Sequence, residues 1–301
     1  MAYSRRRSTK SSRRPRKNTR KKSYSTRRRY SAKTRGLKKM TTKRILNATS
    51  RKKRDTMLAV AQNGSANNPA TGAYIVQGGT QTTFLWCATG RDNTTTNSSG
   101  AFPGTTFIDA CRSATTCYMR GLSEKIEIQT NSGVPWQWRR ICFTVKGLSS
   151  QLGFSGIYEN SNGFGRYLYN VAAGGSTDAP TLTGLYSILF KGVANIDFND
   201  VRNAAVDTTR VTVKSDTTTI ISSGNANGQL KLYNRWYPMN KNLVYDDDEY
   251  GDSKAARAYS VTSKAGMGDY WIADFISTGY GATTSDLLSF NPSSTLYWHE
   301  K

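Results

Sequence analysis

The chain has 301 residues, of which 43 are lysine or arginine, 20 are aspartate or glutamate and one is histidine, giving a formal net charge of +23 at pH 7. One histidine and four cysteines leave little material for zinc sites or histidine-dependent catalysis, and no apolar run approaches the length of a membrane span. We therefore expect a protein that is neither an enzyme nor a membrane protein and that has no cofactor. Its positive charge points to a polyanionic partner.

The positive charge is concentrated in the first 54 residues, which contain 14 arginines and 10 lysines and no carboxylate. Residues 55–301 hold the other 19 basic residues against all 20 acidic ones, a net charge of −1. Residues 1–54 have few large apolar side chains, and their runs of like charge repel, so we predict that they are largely disordered on their own. The sequence thus predicts a near-neutral body, residues 55–301, that carries a basic arm, residues 1–54.

The basic arm predicts binding to the phosphates of a nucleic acid. Each lysine or arginine that neutralises a phosphate releases a counterion, which makes such binding strong, independent of sequence and sensitive to salt. The residues predicted to contact nucleic acid are Arg5, Arg6, Arg7, Arg13, Arg14, Arg16, Lys17, Arg20, Lys21, Lys22, Arg27, Arg28, Arg29, Lys43, Arg44, Arg51, Lys52, Lys53 and Arg54. A solubility tail does not need 24 uncompensated charges, and a mitochondrial transit peptide needs an apolar helical stripe that residues 1–36 lack.

Two clusters within the basic arm match the pattern of nuclear-import signals. They are Arg13, Arg14, Arg16 and Lys17 in the first case, and Arg51, Lys52, Lys53 and Arg54 in the second. Nucleic-acid-binding arms in general contain such clusters, so the match alone is a weak signal. No apolar segment of a secretory signal is present, and we expect an intracellular protein.

Residues 38–62 form a transition from the arm to the body. They contain part of a helical stripe with a threonine suited to cap it, so we predict a short helix. The stripe consists of Leu37, Met40, Ile45 and Ala48, with Thr41 or Thr42 as the cap. The Gly-, Asn- and Ala-rich residues 63–79 predict a loop that leads into the body.

The body has the composition of an all-β domain, because short runs rich in Thr, Tyr, Val and Ile alternate with Gly, Asn, Asp and Ser. The predicted strands are 73–76, 81–88, 116–130, 136–146, 166–171, 207–214, 217–222, 230–237, 270–277 and 295–299. Residues 214–217 suit a tight hairpin turn, and 182–190 fit either a helix or a strand. Long loops between the strands favour a single eight-stranded jelly roll, a form of β-sandwich.

The residues with reactive side chains form no recognisable catalytic motif, and no glycine-rich phosphate loop is present. His299 lies close to the end of the sequence and is interpreted as a solvated tail residue. The cysteines show no metal-binding spacing; they are Cys87, Cys111, Cys117 and Cys142. We interpret them as free thiols, mostly in the core, with a disulfide between two of them as the alternative.

One acidic cluster, Asp246, Asp247, Asp248 and Glu249, stands out in the body. Carboxylate oxygens suit a hard cation such as calcium, but the spacing does not match a helix–loop–helix calcium site. A solvated loop and an electrostatic contact with a neighbouring subunit are the other interpretations. We predict no metal site, and this cluster is the weak candidate for one.

The segment 136–140, Trp-Gln-Trp-Arg-Arg, places Trp136, Trp138 and Arg140 on one face of a predicted strand. One interpretation is a core strand with large aromatic side chains. The other is an exposed surface that stacks on bases or contacts another subunit, since Trp and Arg are enriched in both settings.

Two stretches resemble the coat proteins of the genomoviruses (gemycircularvirus-like), which are small circular single-stranded DNA viruses related to the geminiviruses. The first is CYMRGLSEKIEI at 117–128 followed by PWQWRR at 135–140, and the second is KRILN at 43–47 leading to RDTML at 54–58. The basic arm is similar as well. The likeness is most specific over residues 40–146, and beyond them it depends on overall length and β-rich composition.

This resemblance implies a jelly-roll subunit that assembles, as about sixty copies, into an icosahedral T=1 shell around circular single-stranded DNA. The arm would face the genome and engage the host nuclear import machinery, which implies a protein of the virion and of the host cell nucleus. Whether the shell is simple or twinned stays open. Geminivirus coat proteins have a zinc-finger-like Cys/His pattern, but this chain lacks the histidines, so no metal site is transferred to it.

The charge of the arm allows a check that does not depend on the resemblance. Sixty arms of 24 charges would neutralise roughly 1,400 phosphates, which suits a genome on the order of one to three kilobases with small cations neutralising the rest. The main alternative is a cellular nucleic-acid-binding protein of ribosomal or chromatin type with a basic tail. A hydrolase or lectin on a jelly roll is disfavoured by the scarcity of histidine.

Overall fold

The computed structural model describes residues 40–62, 69–97, 100–173 and 178–301. The prediction of disorder for the basic arm therefore falls, for residues 1–39, outside the described residues. Within the described residues the fold is mostly β, and antiparallel sheets pack as the layers of a sandwich. The prediction of a β-rich fold with sandwich-like layers is confirmed.

A short helix, α1 (Thr42–Thr49), opens the described part of the chain. Thr41 caps it: the Thr41 hydroxyl accepts a hydrogen bond from the backbone N–H of Arg44 at 3.4 Å, which satisfies one of the free N–H groups of the first turn. The predicted helix and its cap are confirmed.

Eighteen strands follow in the described residues, and two further helices lie between them. In chain order these elements are β1 (Arg51–Met57), β2 (Ala59–Ala61), β3 (Ala70–Thr71), β4 (Tyr74–Gln77), β5 (Thr82–Cys87), β6 (Thr94–Asn97), β7 (Gly100–Pro103), β8 (Thr116–Thr130), β9 (Trp136–Val145), α2 (Leu148–Leu152), β10 (Glu159–Asn160), β11 (Gly163–Phe164), β12 (Arg166–Leu168), α3 (Asp178–Leu189), β13 (Thr212–Ile221), β14 (Leu230–Val244), β15 (Asp248–Tyr250), β16 (Ser253–Ala255), β17 (Asp269–Thr278) and β18 (Leu287–Glu300).

The long strands form two antiparallel sheets. The first sheet has the order β1-β18-β8-β14, and β4 pairs with β18 on the same edge as β1 but nearer the start of β18. The second sheet has the order β13-β9-β17-β5. Strands β13 and β14 are consecutive in the chain, yet they form edges of different sheets.

The period-two alternation of β8 shows how the first sheet is oriented. Ile126 and Ile128 are fully buried and Lys125 beside them is exposed; the register shift at Arg120 changes the phase of the alternation, so that Cys117 and Met119 are buried as well. One face of this sheet therefore packs on the second sheet and the other faces outward, as expected for a half-buried antiparallel sheet. Each large apolar side chain buried in this way contributes roughly 1.5–3 kcal/mol.

The central strands of the second sheet are buried on both faces, and nine consecutive residues of β17 are buried. Its inner face packs against the first sheet. Its outer face packs against α2 and α3, where Leu185 and Leu189 join Phe143 and Phe275 in one apolar cluster. The stretch 182–190, which fitted either a helix or a strand, belongs to α3 for most of its length.

Four charged side chains form a closed network between the two sheets. Arg140 donates to Asp274 at 2.6 and 2.9 Å and also to Glu124. Arg166 donates to Asp274 at 2.8 Å and to Glu124 at 3.2 Å. Glu124 lies on β8 of the first sheet and Asp274 on β17 of the second, so this neutral network joins the two layers. Although burial acts to raise it, the two guanidinium groups hold the pKa of Asp274 below its usual value.

Strands β13 and β1 each run through a position where the sequence predicts a turn or a border. Residues 214–217 are not a hairpin turn: β13 runs continuously across them and absorbs one extra residue as a β-bulge after Val213. The predicted border between arm and body at residue 54 falls inside β1, which pairs with β18 from Arg51 to Met57. The body therefore includes residues 51–54.

Candidate nucleic-acid interface

Most of the residues predicted to bind nucleic acid lie outside the described residues. These are Arg5, Arg6, Arg7, Arg13, Arg14, Arg16, Lys17, Arg20, Lys21, Lys22, Arg27, Arg28 and Arg29. Of the remaining residues, Arg44 is exposed on α1, and residues 51–54 belong to β1. The side chain of Lys43 is outside the part of the chain that the structure describes. The structure therefore shows the end of the basic arm and the surface onto which it leads.

Strand β1 divides the basic cluster between two faces. Arg51, Lys52 and Arg54 are exposed, whereas Lys53 is buried at 2% exposure. The Lys53 ammonium donates to the Cys111 carbonyl at 2.7 Å and forms an ion pair with Glu300 at 3.2 Å. The prediction that Lys53 contacts nucleic acid is wrong, because its charge is already neutralised inside the body.

The carboxylate that neutralises Lys53 is held ionised by several donors. Glu300 accepts hydrogen bonds from the Ser113 backbone N–H at 3.1 Å and from the Trp298 indole at 2.7 Å. Burial raises the pKa of Glu300, but hydrogen bonds from Ser113 and Trp298 and the charge of Lys53 outweigh it and lower that pKa below its usual value. The ion pair between Lys53 and Glu300 therefore stabilises the packing of β1 against the end of β18.

The outward side chains of β1 continue across the first sheet in rows set by the strand register. Lys52 lies beside His299, which lies beside Tyr118. In the next row, Arg54 lies beside Tyr297. Trp236 of β14 belongs to the row after that, where it lies beside Ser123 of β8. With Arg120, which is exposed on β8, these residues form a surface that we call the basic–aromatic face; its members are Lys52, Arg54, Tyr118, Arg120, Trp236, Tyr297 and His299.

The aromatic rings of the basic–aromatic face lie close to one another. The ring centroids of Trp236 and Tyr297 are 5.8 Å apart, and those of Tyr118 and His299 are 6.0 Å apart. Trp236 is 51% exposed although it is the largest side chain type. It lies over Gly121, where an added Cβ would be 2.7 Å from the indole and 2.6 Å from the Tyr237 carbonyl. A glycine is therefore needed beneath this ring.

His299 is a member of a paired strand and not a residue of a loose tail, so the interpretation as a tail histidine is wrong. Burial, Lys52 and Arg120 together lower the pKa of His299 below its usual value. At neutral pH the imidazole is uncharged and contributes a ring to the face, while the neighbouring cations contribute the charge.

The composition of this face suits single-stranded nucleic acid. Its cations match phosphate, and exposed rings stack on unpaired bases without regard to sequence. None of its seven members is acidic. The residues of this face lie in four separate segments of the sequence. The one sequence signal that could have indicated their common side of the sheet is the alternation along β8 and β18.

We expect replacement of Trp236 by alanine to weaken binding of oligo-deoxythymidine by about 1–3 kcal/mol, the range for loss of one base–aromatic stack. The slope of affinity against salt should not change, because no charge is removed. Fluorescence anisotropy across a salt series measures both quantities. Tyr250→Ala is the matched control, since Tyr250 is also an exposed aromatic residue but lies on β15. Equal affinities for the two variants would contradict a stacking role for Trp236.

Trp136, Trp138 and Arg140 are buried in the sandwich, at 1%, 2% and 3% exposure. The Trp138 indole donates to Asp274 at 2.7 Å, within the network that joins the sheets. The interpretation as a core strand is therefore confirmed. These three side chains do not form an exposed surface for bases or for another subunit.

The acidic cluster does not form a metal site in the described residues, where no group of three or more His, Cys, Asp or Glu side chains is placed to hold a metal ion. Asp247 is instead paired with Arg112 through two contacts of 2.5 and 2.8 Å, and this guanidinium stacks on the ring of Tyr245 at 3.8 Å. Burial raises the pKa of Asp247, but the hydrogen bonds from Arg112 outweigh burial and lower that pKa below its usual value. Asp246, Asp248 and Glu249 are exposed.

All four cysteines are free and buried, which confirms their interpretation as unpaired core thiols. Burial raises the pKa of Cys142 to about 12, so this thiol is not a nucleophile at neutral pH.

No protein-family model matches the sequence, and no curated protein matches it. In the described part of the chain, no helix has the length and apolar character needed to cross a membrane.

Proposed function

We propose that this protein is the coat protein of a small circular single-stranded DNA virus, which assembles into an icosahedral shell and packages its genome through the basic arm. The observation that carries the proposal is the separation of charge: residues 1–54 contain 24 cations and no carboxylate, whereas residues 55–301 have a net charge of −1. A body without excess charge can pack against copies of itself, while the arm binds a polyanion.

The strand order supports a viral type of jelly roll. Strands β1 and β4 both pair with the same edge of β18 and can be counted together as strand 1. Strands 2 to 8 are then, in chain order, β5, β8, β9, β13, β14, β17 and β18. The first sheet then has the order 1-8-3-6 and the second sheet 2-7-4-5. Two interleaved four-stranded sheets of this kind are what two Greek keys produce in a jelly roll.

Exposed apolar side chains on several loops support self-assembly. Phe107 is 83% exposed, Ile196 79% and Tyr280 fully exposed, and they lie on connections far apart in the chain. A shell subunit has neighbours on several sides, so dispersed apolar contacts fit it better than one large patch would.

The basic–aromatic face supports the nucleic-acid part of the proposal. It begins at Lys52 and Arg54, directly where the basic arm joins the body, so a strand held by the arm meets rings and further cations on the first sheet. For nuclear import, the proposal depends on Arg13, Arg14, Arg16 and Lys17, since residues 51–54 are paired in β1 with Lys53 buried.

Negative-stain electron microscopy of the purified full-length chain tests the assembly. We expect closed particles of uniform size, because sixty copies of a jelly roll enclose a shell. A cellular nucleic-acid-binding protein of ribosomal or chromatin type would instead be a monomer or a chain bound to a partner. Fields without particles at low and at moderate salt, with DNA present, would contradict the proposed function.

A further inference from the structure

A cleft of about 290 Å³ lies at the open edge of the sandwich, between β13 of the second sheet and β14 of the first. Its β13 wall carries Lys214 and the hydroxyl side chains of Ser215, Thr217 and Thr219, and its β14 wall carries Arg235. The cleft lies on the inner side of β14 and the basic–aromatic face on the outer side of the first sheet, and Trp236 of β14 borders both.

Both walls are irregular at the cleft. Lys214 is the extra residue of the bulge in β13, between Val213 and Ser215. The pairing of β14 with β8 shifts between Pro238 and Lys241, where Asn240 has a φ of 51°. Bulges re-aim side chains and are common beside binding sites. Here they place basic side chains at the edge where neither strand has a further neighbour.

The cations of this cleft are not neutralised by the body. Lys214 and Arg235, which line the cleft, and Lys241, which lies near Lys214, form no ion pair with any described residue; Arg140, which also lines the cleft, is paired with Glu124 and Asp274. Burial and the charge of Lys241 lower the pKa of Lys214, as expected for cations held together without a counter-charge. Arg112, Arg139 and Arg166 have carboxylate partners in the body, whereas the half-buried Lys214 and Arg235 have none among the described residues.

We propose that this cleft binds one nucleotide unit of single-stranded DNA, with its phosphate between Lys214 and Arg235 and the hydroxyl groups of β13 as further donors. This assignment rests on the proposed function. The volume is near the lower end of the range of about 300–1,000 Å³ for small-molecule sites, which suits a single nucleotide. Tyr237 lies on the same side of β14 as Arg235 and lines the cleft, so its ring is available to the base.

The cleft and the basic–aromatic face are neighbours across one strand. Arg235 and Trp236 are consecutive in β14, so their side chains project to opposite sides of the first sheet. A DNA strand that stacks on Trp236 therefore reaches the cleft by passing over the unpaired edge of β14. The two sites form one path for the backbone.

Binding of thymidine 5′-monophosphate to the full-length chain, measured by equilibrium dialysis at low salt, tests the cleft. We expect Lys214→Gln and, independently, Arg235→Gln to weaken binding roughly tenfold each, the loss for a charged hydrogen bond to phosphate. Lys191→Gln is the matched control, because it removes the same charge from an exposed lysine outside the cleft. The basic arm is present in every variant and contributes the same background.

Thymidine and inorganic phosphate identify what the cleft recognises. We expect thymidine not to compete and phosphate to bind more weakly than the nucleotide. Equal binding by Lys214→Gln and Lys191→Gln, or equal affinities for nucleotide and phosphate, would overturn the assignment. Particle formation and DNA retention are measured separately, so failure of the cleft leaves the proposed function intact, and absence of particles does not change the dialysis result.

Discussion

Deletion of residues 1–36 is expected to abolish retention of single-stranded DNA. This segment contains 16 of the 24 basic residues of the arm, and full engagement on single-stranded DNA would give them a slope of log affinity against log salt of about −11. Removing them should eliminate most of that slope, while β1 to β18 lie entirely beyond the deletion. Anisotropy titrations across a salt series measure the change.

A variant of full length separates charge from chain length. Replacing ten arginines of the arm by glutamine is expected to reduce the slope by about 7 and leave the body unchanged. The ten are Arg5, Arg6, Arg7, Arg13, Arg14, Arg16, Arg20, Arg27, Arg28 and Arg29. A truncated or neutralised protein that binds DNA with the salt slope of the intact chain would refute the role given to the arm.

Asp274→Asn is expected to lower the free energy of unfolding by about 3–5 kcal/mol, since loss of one partner leaves a buried charge uncompensated. Arg140 and Arg166 would then share the single carboxylate of Glu124 between the sheets. Urea denaturation of unassembled protein measures the change. The substitution keeps the shape of the side chain, so the effect reports on charge and not on packing.

Asp216→Asn provides the matched control for this network. Asp216 also pairs with an arginine of β9, Arg139, but its side chain is 33% exposed. Because water screens an ion pair at that position, its loss is expected to cost less than about 1 kcal/mol. Similar losses for Asp274→Asn and Asp216→Asn would show that the buried network does not hold the two sheets together.

Alternation along the sequence predicted the strands of the body well where one face is buried. The predicted strand 116–130 coincides with β8, and the predicted 136–146 differs from β9 by one residue. Strand β1 escaped prediction because its residues, RKKRDTM, have the composition of the arm. Pairing with β18 and the ion pair of Lys53 with Glu300 outweigh the low strand propensity of that segment.

The wrong turn at residues 214–217 and the two interpretations left open at 136–140 have different physical causes. The polar residues after Val213 resemble a hairpin turn, but a bulge accommodates them within one strand, and no local pattern distinguishes the two. Arg140 resembles a surface residue because a buried arginine needs two carboxylates that come from distant strands. Such partners become visible only when the sheets are assembled.

Of the candidate interface, only the basic arm could be predicted from the sequence. Charge along the chain identifies the arm, since a run of cations needs no tertiary information. The basic–aromatic face combines residues from four strands, and its rows depend on the register between β1, β18, β8 and β14. The cleft depends further on two bulges that face each other across the open edge.

Mass measurement by light scattering with combined absorbance and refractive-index detection, after nuclease treatment, tests the central claim most directly. Sixty chains of 33.3 kDa give about 2 MDa of protein, and we expect that mass together with nuclease-resistant single-stranded DNA. A species of one chain that carries no DNA would contradict the account.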